Sequence, residues 1–154
     1  MKSIQLAHGS GGLAMQQLID GLFMKAFANP WLAEQEDQAR LSLASLTAHG
    51  DRLAFSTDSY VIDPLFFPGG NIGKLAICGT ANDVAVSGAV PRYLSGGFII
   101  EEGLPMETLE AVVNSMAEMA KAADIAIVTG DTKVVGRGAA DKLFINTAGM
   151  GAIP

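Results

Sequence analysis

The sequence predicts an α/β fold, a mixed β-sheet with helices packed on one face, and three observations carry that reading. Residues 13–27 and 109–123 hold apolar side chains at helical spacing. Short apolar runs with the look of strands alternate with them at 41–48, 52–57, 93–100, 125–128 and 143–148. Glycine and proline mark the joints, as in layered folds where helices cover a sheet.

The first twelve residues end in His8-Gly9-Ser10-Gly11-Gly12. Such a loop brings backbone N–H groups to a phosphate in front of a helix N-terminus, or is simply a flexible linker. His8 suits a phosphate contact or a turn cap. From Leu13 to Phe27, the residues Met15, Leu18, Ile19, Leu22, Phe23, Ala26 and Phe27 form one helix face, which Asn29-Pro30 ends. Residues 33–40 are a charged, solvated stretch. Residues 41–48 and 52–57 read as two strands joined by a turn at His49-Gly50-Asp51.

Asp58 then falls at the expected end of the second strand, and Asp63 precedes Pro64, which disfavours helix there. After Pro68-Gly69-Gly70, a helix of small side chains is expected from Ile72 to about Gly88, with Asn82 and Asp83 within it. A helix so thin in side chains is built to lie close against something, and a charge there needs a partner. Tyr93 to Ile100 is a strand with Gly96-Gly97 inside it, a place for a bulge or a close approach. Gly103-Leu104-Pro105 opens the next helix, whose buried stripe is Leu109, Val112, Val113, Met116, Ala120 and Ala123. Ile125 to Val128 is apolar throughout, a doubly buried strand leading into Thr129-Gly130-Asp131-Thr132-Lys133. After the Gly136-Arg137-Gly138 loop, residues 143–148 form the last strand.

At 154 residues the chain suffices for one domain with a proper core. Its 17% charged content falls below the usual ~25%. With a mean hydropathy of +0.32, that predicts an interface with a subunit or domain. A net charge of −6 excludes a nucleic-acid surface but not a nucleotide, whose phosphates carboxylates reach through Mg²⁺. The single cysteine, Cys78, excludes an internal disulfide and a zinc cluster and reads as a small buried hydrophobe. No signal peptide or membrane-spanning run is seen, so a cytoplasmic location is expected.

Asp58, Asp83 and Asp131, with Asp63 as a possible fourth, supply the oxygen ligands that suit Mg²⁺ held jointly with substrate phosphates. Lys74 and Lys133 are either phosphate-directed charges or solvated surface lysines. The P-loop and dinucleotide-binding glycine motifs are absent.

Together, HGSGG, then STDSYVIDPLFFPGGNIGKLAICGTANDVAVSGAVPRYL, then VTGDTKVV resemble the N-terminal half of the HypE family of hydrogenase maturation proteins. That family lies in the ATP-binding superfamily of aminoimidazole ribonucleotide synthetase (PurM). The resemblance implies a single PurM-like ATP-binding and dimerisation domain over 1–154, its sheet joining its mate's in a barrel. It also implies ATP-dependent dehydration of a thiocarboxamide on a C-terminal cysteine to thiocyanate, the source of cyanide ligands in [NiFe]-hydrogenases. Asp58, Asp83 and Asp131 would hold Mg²⁺ and ATP, with Asn82, Thr132, Lys74 and Lys133 nearby and His8, Gly9, Ser10, Gly11 and Gly12 closing over the phosphates. The implied partners are a second copy, the carbamoyltransferase HypF and the HypC–HypD complex, with no nucleic acid and no membrane. The chain departs from the family in carrying no cysteine after Cys78, so it is expected to be an N-terminal domain that does not complete the dehydration alone. The alternatives are another enzyme of the superfamily, or a non-catalytic dimerisation and docking module.

Overall fold

The computed structural model describes residues 2–154. After a 3₁₀ turn at Leu6–Gly9, helix α1 (Leu13–Leu18) runs through a π-helical segment (Ile19–Phe23) into α2 (Met24–Ala26). The predicted helix face holds: Leu18, Phe23 and Phe27 are buried in the core. Short helices α3 (Pro30–Ala33) and α4 (Leu43–Thr47) precede strand β1 (Arg52–Tyr60), the small hairpin β2 (Phe66–Phe67) and β3 (Gly70–Asn71), and helix α5 (Ile72–Ala85). Strand β4 (Tyr93–Glu101), helix α6 (Met106–Ala122), β5 (Ala126–Val135) and β6 (Leu143–Ile153) complete the chain.

The sheet is mixed, as expected, with order β1-β6-β4-β5. β4 and β5, linked by α6, are parallel, whereas β6 is antiparallel to both its neighbours. One face is covered by helices, with Ile72, Ile77, Leu109, Met116, Leu94, Ile100, Leu143 and Ile145 essentially inaccessible. The other face leaves Leu53, Phe55 and Ile99 exposed. Ile4 is also fully buried, because residues near the N-terminus pair with the entry to α6: the Ile4 N–H donates to the Leu104 carbonyl and the Gly103 N–H to that of Ile4, each at 2.7 Å.

Several elements depart from expectation. Residues 41–48 are not a strand: Ser42 caps α4, its hydroxyl accepting from the Ser45 N–H at 3.2 Å, and β1 stands at the edge of the sheet with β6 as its strand partner. Gly50 makes no hairpin turn; a Cβ there would collide with the Ile153 carbonyl. β1 continues to Tyr60, so Asp58 lies inside a strand rather than at its end. β5 likewise runs on to Val135 through Gly130, where the Gly96 carbonyl occupies the space of a side chain. A glycine pressed against the neighbouring strand had the appearance of a strand end. β6 extends five residues past Ala148, and Ala123 is exposed beyond the end of α6.

Candidate functional site

Two carboxylates, Asp58 on β1 and Asp83 on α5, lie near Tyr60 at the β1 edge of the sheet. Asp58 shares its side of β1 with Tyr60, the side that faces α5, and its Oδ1 accepts from the Ser59 N–H at 2.8 Å. Asn82 and Asp83 lie in the last turn of α5, and both are exposed. The expectation of a costly buried charge at Asp83 is therefore wrong: α5 turns its small residues inward through Gly73, Ala76 and Thr80 and leaves Asp83 in solvent.

Tyr60 itself is buried. Its hydroxyl is 3.1 Å from Thr80 Oγ1, which is 2.6 Å from Thr147 Oγ1 on β6; Thr147 in turn donates to the Ala76 carbonyl at 2.8 Å. Burial pushes the Tyr60 phenol above its ordinary value; the Thr80 hydrogen bond opposes this, and the negative charges of Asp58 and Asp83 add to the rise. Both carboxylates thus act on one hydroxyl. Sequence reasoning missed this Tyr60–Thr80–Thr147 chain, although a tyrosine two residues after Asp58 and a threonine one turn before Asp83 were visible.

At the opposite edge, Asp131 and Lys133 project from β5 with Nζ and Oδ2 3.6 Å apart, both largely exposed. Thr132 between them is buried on the helix side. The row Asp58, Thr147, Gly96, Gly130 crosses the sheet in register. Asp131 therefore stands three strands away, roughly 14 Å, and on the opposite face. Among the described residues no three His, Cys, Asp or Glu side chains are grouped so as to hold a metal. Within one chain the expected trio of Asp58, Asp83 and Asp131 is not assembled. Asp63, the possible fourth, is paired with Lys142 Nζ. Lys74 also stands apart: its Nζ donates to the Gly69 carbonyl at 3.0 Å, nine residues and about 14 Å along α5 from Asp83.

The N-terminal glycine segment sits on β5. Without a Cβ at Gly9 the chain packs against Val134, whose nitrogen would otherwise be 2.8 Å from that atom. His8 caps the turn, its Nδ1 accepting from the Gln5 N–H at 2.9 Å. Gly11 takes a positive φ of 82°, and Gly12 and Gly11 have open space around them. His8 to Gly12 are thereby brought beside the strand of Asp131, Thr132 and Lys133, and separated from Asp58 and Asp83. Alongside, a cleft of about 490 Å³ lies between Ile19, Phe23 and Phe27 and the Gly130–Thr132 segment.

A sheet covered by helices on one face, with carboxylates at both edges and a glycine turn against β5, defines the class. The signature of AIR synthase related protein, N-terminal domain, matches residues 35–153, and the chain belongs to that family. Within it, the chain is 87% identical over 154 residues to carbamoyl dehydratase HypE of Escherichia coli (strain K12), covering 100% of this chain and 46% of that protein. A hydrogenase maturation protein HypE solved in complex with ATP superposes with a TM-score of 0.92 at 57% identity, covering 97% of this chain and 43% of that one. A HypE–HypF complex gives a TM-score of 0.65 at 49% identity, covering 88% and 42%. The chain spans about half the length of the curated relatives it matches. No helix among the described residues is long and apolar enough to cross a membrane.

Proposed function

We propose that this chain is the ATP-binding domain of a carbamoyl dehydratase of the HypE type, acting in [NiFe]-hydrogenase maturation. The observation that carries the reading is its 87% identity with a protein named for that activity. A 57% identical HypE bound to ATP supports nucleotide binding.

In the reaction, the carbamoyl oxygen of a cysteine thiocarboxamide attacks the γ-phosphorus of ATP and ADP leaves. The N–H protons are then lost, the C–O bond breaks, and phosphate departs to leave the thiocyanate. Mg²⁺ neutralises phosphate charge in such a transfer. Asp58 and Asp83 fit it, because Mg²⁺ takes one or two protein carboxylates and keeps its other positions for phosphate oxygens and water. Asp131, Thr132, Lys133 and the His8–Gly12 turn form a second group at the far edge of the sheet, where Lys133 would offer positive charge to phosphate. Asn82 supports Asp83, and Lys74 has its role at the other end of α5, holding the Gly69 turn. The exposed face of Leu53, Phe55 and Ile99 supports a dimer through the sheet. HypF is proposed as a partner because a 49% identical relative is solved with it, and HypC–HypD as the next acceptor. The location is the cytoplasm, where ATP is supplied.

Calorimetry of ATP binding with and without Mg²⁺ tests the reading. Asp83→Asn is expected to weaken the magnesium-dependent part at least tenfold. Wild-type affinity that is indifferent to magnesium, or to this substitution, would overturn the metal assignment.

A further inference from the structure

We propose that Tyr60 is a positioning residue that, through its hydrogen bond to Thr80, sets the spacing between Asp58 and Asp83. The inference rests on the reading of those two carboxylates as a metal-holding pair.

The two acids belong to different elements, one on β1 and one on α5, so neither chain segment fixes their separation alone. Among the contacts that join β1 to α5 is one buried side-chain hydrogen bond. Tyr60 is two residues from Asp58 on the same side of β1, and Thr80 is three residues from Asp83, neighbouring it on the helix surface. The bond at 3.1 Å between their hydroxyls thus closes a short loop that contains both carboxylates. Each hydroxyl is held in turn. Thr80 is fully buried and shares a 2.6 Å hydrogen bond with Thr147, also fully buried, whose proton goes to the Ala76 carbonyl one turn back on α5. The direction of the chain follows: Thr147 donates to Ala76, Thr80 donates to Thr147, and Tyr60 donates to Thr80.

Gly79 completes the device. The Tyr60 hydroxyl fills the space that a side chain at this position would need, so the ring lies directly on the helix backbone. A phenylalanine at position 60 would keep the ring's packing on the helix and lose the hydroxyl with its bond. Burying three hydroxyls in a core that apolar side chains could fill is costly unless all are satisfied. Here all are.

The test is a magnesium titration of ATP binding by calorimetry on the full chain, paired with ATP binding in EDTA and with the melting temperature. Tyr60→Phe is expected to raise the half-saturating Mg²⁺ concentration about tenfold while leaving binding in EDTA unchanged. Thr80→Val should do the same, Thr80→Ser should restore wild-type behaviour, and Tyr60→Phe with Thr80→Val should cost no more than either alone. Wild-type magnesium dependence in Tyr60→Phe and Thr80→Val, beside a loss in Asp83→Asn, would overturn the positioning role and spare the metal reading. Equal loss in magnesium and in EDTA, with a lower melting temperature, would mark the bond as structural only and likewise overturn the role. If Asp58→Asn and Asp83→Asn both left the titration unchanged, the metal reading would fall and this inference with it.

Discussion

The Tyr60 hydroxyl occupies the place of a missing side chain at Gly79, so that β1 and α5 touch where one residue is largest and the other has nothing. Gly79→Ala would drive a methyl group into that ring. Overpacking of this kind costs about 1–3 kcal/mol, and urea unfolding of Gly79→Ala should show a loss in that range. A midpoint equal to wild type would mean that the ring moves aside at no cost.

Gly130 presses against the Gly96 carbonyl in the parallel pairing of β4 and β5. Neither backbone can yield without breaking ladder hydrogen bonds. Gly130→Ala is expected to destabilise by about 3 kcal/mol or more, at the upper end for overpacking. Gly12→Ala, with open space around it, should melt with the wild type.

Thr147 makes its bond to Ala76 at 2.8 Å from a fully buried position. Thr147→Val keeps the shape and leaves the Thr80 hydroxyl and the Ala76 carbonyl each one partner short. A loss of about 1–3 kcal/mol by denaturant unfolding is expected.

Glu101 holds the 136–142 loop by accepting from the Gly138 and Lys142 N–H groups, at 2.8 and 3.0 Å. These bonds lower its carboxyl below the ordinary 4.5, with the nearby Arg137 and Lys142 charges helping. A lowered carboxyl contributes stability that is complete above its unfolded value and fades as pH falls through the folded one. Hydrogen-exchange protection of Gly138 and Lys142 should therefore hold from pH 7 to about 5 and fall as the pH is lowered through the carboxylate range. In Glu101→Gln the pH-dependent drop should be absent, because the amide does not titrate, although its one oxygen keeps only one of the two bonds.

Phe55 is 67% exposed and Leu53 51% exposed on the open face of the sheet. If that face meets a second copy, Phe55→Asp should give a monomer by sedimentation, with an unchanged monomer fold by circular dichroism. A dimer that survives Phe55→Asp together with Leu53→Asp would place the contact elsewhere.

Periodicity and punctuation made most of the fold legible. The stripe from Leu109 to Ala120 and the run from Tyr93 to Ile100 stand where they were expected because burial imposes one pattern on each. The failures have a common physical origin in long-range pairing. Residues 43–47 are strand-like in composition, yet the Ser42 cap starts a helical turn there and β1 pairs instead with residues some hundred positions later. Gly130 resembles a strand end until the partner backbone beside it is known. The same holds for the candidate site. Asp58 and Asp83 were found from their motifs, but the width of the sheet that separates them from Asp131 depends on strand order, which local sequence does not encode. Tyr60 and Thr80 were passed over because each is ordinary alone and acquires meaning only in contact.

The order of the strands also has a consequence in time. β6 is hydrogen-bonded on both sides, to β1 and to β4, and is the last of the strands to leave the ribosome. Until it arrives, β1 waits without its sheet partner while some eighty residues are added, its backbone groups unpaired. The nascent chain is thus most vulnerable to association with other chains during the interval in which α5, β4, α6 and β5 are being made, and one late strand ends it.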